Sequence, residues 1–539
     1  MKKIKLTSLF LLLISTITFG QVKLSKDFNT TVGTPYKVVD AKSKEYFSDD
    51  KGFTIAVKTD GEKVTLQRYD IKLMKEVSRK EYEDFPPYNK LQKILKVGDK
   101  LFYVFSSFNK KAKQEDIYSR EINMGSGTFE SPKLLFSTSK EVTVSSYGEV
   151  AGISMFGGLG NPIRFEVHKS FDNSKLLVRY RLKPEEKNDA KNYDVLGFYV
   201  FNSSNMEKQW GGEVKMPYTE KQMNNIAYGV SKNGNASMLA FINETKQFEL
   251  LNITPDLKVK PNKIDINANL FFQDLTLKED ADGNMTCIGY YANGMDVKVN
   301  WTGSATLSFN ANGILSFKMD QNGKVLEKYD FEFPITLINQ YESKRAKAKN
   351  DKREGEGKAG INDLKIIDIS INADGSTTVV GEQQYIRKEL VGTSMQMVYY
   401  YGDMVATKFD KTGKLTWMKK LPKTQTGTQG KGGMGVRYIK GEASSYLLFL
   451  DNIKNANLTA DEVPEKHSDG RGGYLTAYKI DNTTGTFEKH SIFDIEDIKG
   501  KEAFQFRTSR IFDAMDKVFM LEVYLKGKED TMVKMELTK

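Results

Sequence analysis

Cysteine is almost absent from this sequence: Cys287 stands alone among 539 residues. One thiol excludes a disulfide within the chain and a zinc site built on four cysteines, so the fold must be held by burial. Histidine is as scarce. His168, His467 and His490 are the three, and no two stand at a metal-ligand spacing, which argues against a resident metal. A Gly-x-Ser-x-Gly nucleophile turn between strand and helix is missing; Gly125-Ser126-Gly127 lies in a hairpin. Long apolar runs are missing too, apart from LFLLLISTITF near the start. No later stretch reaches the roughly 20 apolar residues that a membrane helix needs. Charge of one sign is not in great excess either. The net +10 is spread along the chain, without the concentrated basic patch that nucleic-acid binding requires.

The apolar run that is present follows Lys2, Lys3 and Lys5 and ends at Thr18 and Gly20. That pattern predicts a secretory signal over 1–20, cut before Gln21, and no cysteine follows it to take a lipid anchor. Those 20 residues hold three lysines and no acid, so the chain without them carries +7. The expected location is therefore the periplasm or the exterior, with no membrane span in the mature chain.

The clearest local signal is Val405–Trp417, VATKFDKTGKLTW: a short alternating strand, a tight turn and a returning strand. Asp410 can accept backbone amides two or more residues on, and Gly413 can take the positive φ that closes the turn. Trp417 then offers an apolar face to a neighbouring sheet. Looser copies are Phe317–Leu326 and Tyr478–Phe487. With Asp, Thr-Gly and Trp at these spacings, the segment resembles the repeat of pyrroloquinoline-quinone-type β-propellers. The resemblance implies propeller architecture and, for part of that family, a quinone cofactor. The adjacent cysteine pair typical of the quinoprotein alcohol dehydrogenases has no counterpart here, so no cofactor is expected. Composition and leader are also similar to those of exported Bacteroidetes proteins, many of them uncharacterised.

Asp-Gly, Asn-Gly and related turns between alternating apolar runs are hairpin signals. They divide residues 21–539 into repeated four-strand units beginning near residues 44, 91, 163, 226, 272, 364, 435 and 504. The run Leu101–Phe105 is apolar throughout, as in a strand buried on both faces. The last unit has three strands, and segment 23–39 can supply the fourth. The expected fold is all-β: a single β-propeller domain of eight blades, with seven as the alternative count, its ring closed by an N-terminal strand. Closure would remove a free sheet edge.

Insertions fall on one side of this scheme, in the second-to-third-strand loops and the connections between units. Examples are Lys183–Tyr193, Ala292–Gly303, Tyr385–Gly402 and Ile453–Gly473, with connections 138–162, 338–361 and 421–434. Variation gathered on one face of a rigid scaffold is what a binding surface requires. Tyr399, Tyr400 and Tyr401, in one of these loops, and Trp301, in another, are candidate ligand-binding aromatics; Arg437 is a candidate polar contact. Alternation of packed and solvated tyrosines along a hairpin is the reading that strand composition favours for the triplet. Asp280 to Asn284 begins like a calcium loop but has Tyr291 at the twelfth position, where a carboxylate is required. Gly430 to Gly435 matches Gly-x-Gly-x-x-Gly, yet a strand is expected after it where a nucleotide site needs a helix. Tyr341–Lys358, with seven Lys/Arg against four Asp/Glu, is expected as a solvated linker or short helix. The function expected is non-enzymatic binding of a protein or glycan by a monomer. An enzyme acting on polysaccharide and, behind it, a quinone-dependent oxidoreductase are the alternatives.

Overall fold

The computed structural model describes residues 23–143, 164–186, 188–266, 270–299, 305–430, 432–458 and 462–538. The expected signal over 1–20, Trp301 and most of the 138–162 connection lie outside them. The chain is all-β. The described residues form nine sheets, one of them a three-stranded sheet in the insertion of the fifth, and each of the other eight is built on a run of four antiparallel strands, some with short extra strands added. The first runs Ser43–Ser48, Phe53–Asp60, Lys63–Asp70, Lys75–Tyr82, and the second from Asn89–Val97 to Thr128–Ser137. The third spans Phe165–Lys169 to Glu207–Thr219, the fourth Met223–Val230 to Val259–Ile264, and the fifth Phe271–Glu279 to Val325–Glu332. The sixth spans Leu364–Ile371 to Leu415–Leu421 and the seventh Arg437–Ile439 to Phe487–Asp494. The eighth takes Ile511–Met515, Val518–Leu525 and Glu529–Leu537, and its outer strand comes from the other end of the chain: Phe28–Val32 pairs antiparallel with Glu529–Leu537. No helix among the described residues is long and apolar enough to cross a membrane.

The period-2 alternation of a strand explains how the sheets stack. Along Leu101–Phe105, all buried, Leu101, Tyr103 and Phe105 pack with Ile55, Val57 and Leu66 of the first sheet. Phe102 and Val104 pack the other way, with Leu176, Val178 and Phe201 of the third. Each later junction repeats the device, and the series returns to its start: Phe512, Met520 and Met532 of the eighth sheet pack with Tyr46, Ala56 and Tyr69 of the first. Four charged groups are buried at this last junction, Lys44 and Lys58 against Glu522 and Asp530.

The hairpin turns close as their residues require. Asp410 Oδ1 accepts the amides of Thr412 at 2.8 Å and Lys414 at 3.1 Å, and Gly413 has φ +91°. Asp320 and Gly323 repeat this geometry one sheet earlier. Trp417 is buried against Leu447 and Tyr478 of the seventh sheet. Asp280 spends its carboxylate on the amides of Asp282 and Asn284 and on Lys318, 2.7 Å away. Gly430 to Gly435 leads into the strand Arg437–Ile439.

Glycine is required inside the third sheet for a different reason. Gly197 stands opposite Tyr180, whose ring lies where a Cβ would be. We expect Gly197→Ala to cost about 1–3 kcal/mol by overpacking, measured by chemical denaturation. A neutral result would mean that the Tyr180 ring can leave its place at no cost.

Candidate functional site

Within a sheet wound this way, the second-to-third-strand turn and the connection to the next sheet leave from one end, and long loops of both kinds occur. The most extended is the ribbon made by Thr377–Val391 and Ser394–Phe409, which stay paired out to Val391 and Ser394. Beside its base, the connection from the fifth to the sixth sheet forms two helices, Ile335–Asn339 and Lys344–Glu354.

The ribbon carries the tyrosine triplet, and its register separates the three. Tyr400 pairs with Tyr385, and their rings stack 4.6 Å apart at 9°. The Arg387 guanidinium lies 4.8 Å from the Tyr385 ring, and the Tyr400 hydroxyl donates to Glu389 at 2.7 Å. Tyr399 is buried, so it is not available as a surface aromatic. Tyr401 is half-buried on the same side; its hydroxyl accepts from Gln429 at 2.5 Å, and burial, with the nearby Glu382 carboxylate, pushes its pKa up. It lines a cavity of about 230 Å³ with Glu382, Gln384, Met434 and Arg507. Glu382 is itself buried against Lys423 at 2.7 Å, so this cavity presents a neutralised carboxylate. Arg437 is exposed, but it opens the inner strand of the seventh sheet and faces Asp513, whose carboxyl is raised by burial and lowered in part by Arg437. The structure therefore does not bring Arg437 to the stacked pair Tyr385 and Tyr400.

A larger cavity of about 820 Å³ opens at the same end, between the first three sheets. Glu45 comes from the first sheet, Tyr88, Asn89 and Gln92 from the entry to the second, Phe108 from its second strand, and Arg164 and Phe165 from the entry to the third. Tyr88 is held in the left-handed region at φ +59° and its ring is 48 % exposed. Its amide donates to Glu62 at 2.6 Å, and Lys110 lies 4.1 Å from the ring centroid. Left-handed backbone at a bulky residue is a strained arrangement that clusters at binding sites. Asn89 is 4 % exposed; its Nδ2 donates to the Pro86 carbonyl at 3.2 Å, while its Oδ1 has no donor. A buried acceptor left open costs about 1–3 kcal/mol. Glu115, deep in the cavity, is paired with Arg164 at 2.5 Å, and Arg164 also donates to the Val142 carbonyl. Burial raises the Glu45 carboxyl, with Lys93 opposing.

The exposed Tyr88, the half-buried Phe108 and several polar side chains in one concave site suit a polyhydroxylated ligand: rings cover the C–H faces of a sugar and the polar groups take its hydroxyls. None of these residues was singled out from the sequence. The available signal was Pro86-Pro87-Tyr88-Asn89, a stiff connection that ends on an aromatic and an amide.

No protein-family model and no curated protein matches the sequence. Among solved structures, the chain is similar to the β-propeller domain of the Trilobed protease from Pyrococcus furiosus, at 12 % identity and TM-score 0.33, covering 86 % of this chain and 100 % of that one. It is similar to the Nup133 β-propeller domain of Vanderwaltozyma polyspora, at 10 % identity and TM-score 0.32, over 83 % of this chain and 99 % of that one. It is also similar to the polysaccharide lyase Uly1, at 9 % identity and TM-score 0.36, over 83 % and 90 % of the two chains.

Proposed function

We propose that the chain is an exported eight-bladed propeller, its ring closed by Phe28–Val32, and that it binds a glycan without transforming it. The observation that carries the ligand class is the 820 Å³ cavity, which exposed Tyr88 lines together with Asn89, Gln92 and Glu45. The packing of the eighth sheet on the first supports the closed ring. The ion pair of Glu115 with Arg164 supports binding over catalysis, because a carboxylate held by a guanidinium is not free to reach a ligand.

The test is isothermal titration of the purified protein against a panel of neutral and acidic oligosaccharides. Tyr88→Ala and Asn89→Ala should each weaken binding by about tenfold, the size of a lost ring contact or hydrogen bond. A panel with no binder, or a binder indifferent to both changes, would sink the reading. Glu45 supports one alternative, an enzyme acting on polysaccharide, since a raised carboxyl can serve as a general acid. Product release that vanishes in Glu45→Gln while binding persists would establish that alternative.

A further inference from the structure

The tip of the sixth-sheet ribbon leaves apolar side chains in solvent. Cross-strand pairs Leu390–Met395 and Lys388–Met397 lie on one face of the ribbon, because paired residues and those two positions on share a side. Leu390 is 67 % exposed, Met395 55 % and Met397 49 %. The opposite face carries Arg387 and the pair Glu389–Gln396, with Val391 beyond them at the tip, 41 % exposed. These apolar groups contribute nothing to packing where they stand.

The helix Lys344–Glu354 is the second element. Its sequence, KRAKAKNDKRE, sets six Lys/Arg against Asp351 and Glu354, and none of its residues is buried. Ser343 caps it by accepting the Ala346 amide. A fully formed helix with no apolar face is not there to fill a core. It is held to the preceding helix by Asn350 donating to Asn339 at 3.0 Å, and that helix is tied to the ribbon end of the sixth sheet: Lys420, which pairs with Val405 a few residues from the ribbon's base, donates to the carbonyls of Ile338 at 3.1 Å and Gln340 at 2.8 Å. Apolar tip and cationic helix therefore stand at one end of one sheet.

We propose that the ribbon tip and the basic helix form a docking surface for an anionic phospholipid bilayer. Leu390, Met395 and Met397 enter the headgroup–acyl boundary, Lys388 reaches back to the phosphates, and the helix lies along the charged surface. Apolar burial and cationic attraction combined are what interfacial binding requires, and neither suffices alone. A soluble acidic polymer would explain the helix but leave the tip without a role. This site is separate from the Tyr88 cavity and does not depend on the glycan reading.

The experiment is co-sedimentation of the full chain with vesicles of phosphatidylcholine alone and with equal parts phosphatidylcholine and phosphatidylglycerol. We expect binding to the anionic vesicles only, weakened by salt. Leu390→Ser with Met395→Ser should lower partitioning at least about tenfold, as should Lys344→Glu with Lys349→Glu. Both pairs lie outside the sheet cores, so melting should be unchanged. Insertion is read separately: Cys287 is buried and its thiol is raised by burial, so a dye on Leu390→Cys reports the tip alone, and its emission should shift to the blue on anionic vesicles. No sedimentation, or sedimentation untouched by the tip changes with no spectral shift, overturns the proposal. Loss on charge reversal alone, with heparin competing fully, assigns the surface to a soluble polyanion instead. Tyr88→Ala should leave vesicle binding intact.

Discussion

A chain lacking residues 23–39 should melt about 10 °C below one that keeps them. Three losses add. Phe28 leaves a cluster in which its ring meets Tyr446 edge-on at 6.0 Å, and deletion of a buried Phe costs about 3–5 kcal/mol. The ladder from Phe28 opposite Leu537 to Val32 opposite Val533 is gone, exposing the edge of Glu529–Leu537. Tyr36, buried, no longer donates to Glu522 at 2.9 Å. Together these approach about 10 kcal/mol, and in a cooperative unit of this length each kcal/mol moves Tm by about 1 °C. Calorimetry of the two chains decides it, and the shortened chain should also self-associate through its new edge. Phe28→Ala alone should cost about 3–5 kcal/mol. An unchanged Tm would mean that the N-terminal strand rests on a sheet that is complete without it.

The sheets were legible because their signals are local. Alternation and an Asp or Asn turn sit within ten residues of each other, as at Asp410–Gly413, and the all-apolar Leu101–Phe105 announced a strand buried on both faces. The N-terminal strand was legible by a count, since the last unit had three strands where the others had four. The site was less so. In the tyrosine triplet the sequence shows three aromatics side by side, but register sends Tyr400 to one face and Tyr399 and Tyr401 to the other. The short strand Gln425–Gly427, which pairs along Tyr399–Tyr401, has no periodicity of its own. The Tyr88 cavity is built from three sheets, so no window of sequence contains it. The buried charges are hidden in the same way. Lys420 with Asp403, Lys489 with Asp451 and Lys58 with Glu522 each read as ordinary polar positions of a strand.

The junction of the first and eighth sheets should show as large an effect of a single substitution. Glu522, buried, takes Lys58 at 2.5 Å, Lys44 at 3.1 Å and the hydroxyls of Tyr36 and Tyr46. Asp530 shares the two lysines, so two cations meet two carboxylates out of water. Glu522→Gln keeps the shape and leaves one buried positive charge without balance, which costs about 3–5 kcal/mol. Lys58→Met should cost less, because Glu522 keeps Lys44 and both tyrosines while burial no longer acts against the Lys58 charge. The double variant restores neutrality and should be more stable than Glu522→Gln alone. Additive losses in this double-mutant cycle would refute the coupling. The pH dependence follows the same logic. Burial opposes ionisation of Glu522, but Lys58 and Lys44 outweigh it and hold the carboxyl at about 2, below its ordinary 4.5. The stability it lends is therefore full above pH 4.5 and is lost as pH falls through about 2, a limb worth about 3 kcal/mol. Asp530, raised by burial and by Glu522, works with the opposite sign and softens that limb. Urea melts from pH 5 down to the acid limit should show the loss in the natural protein and a flatter profile in Glu522→Gln; equal slopes would place the acid sensitivity elsewhere in the chain.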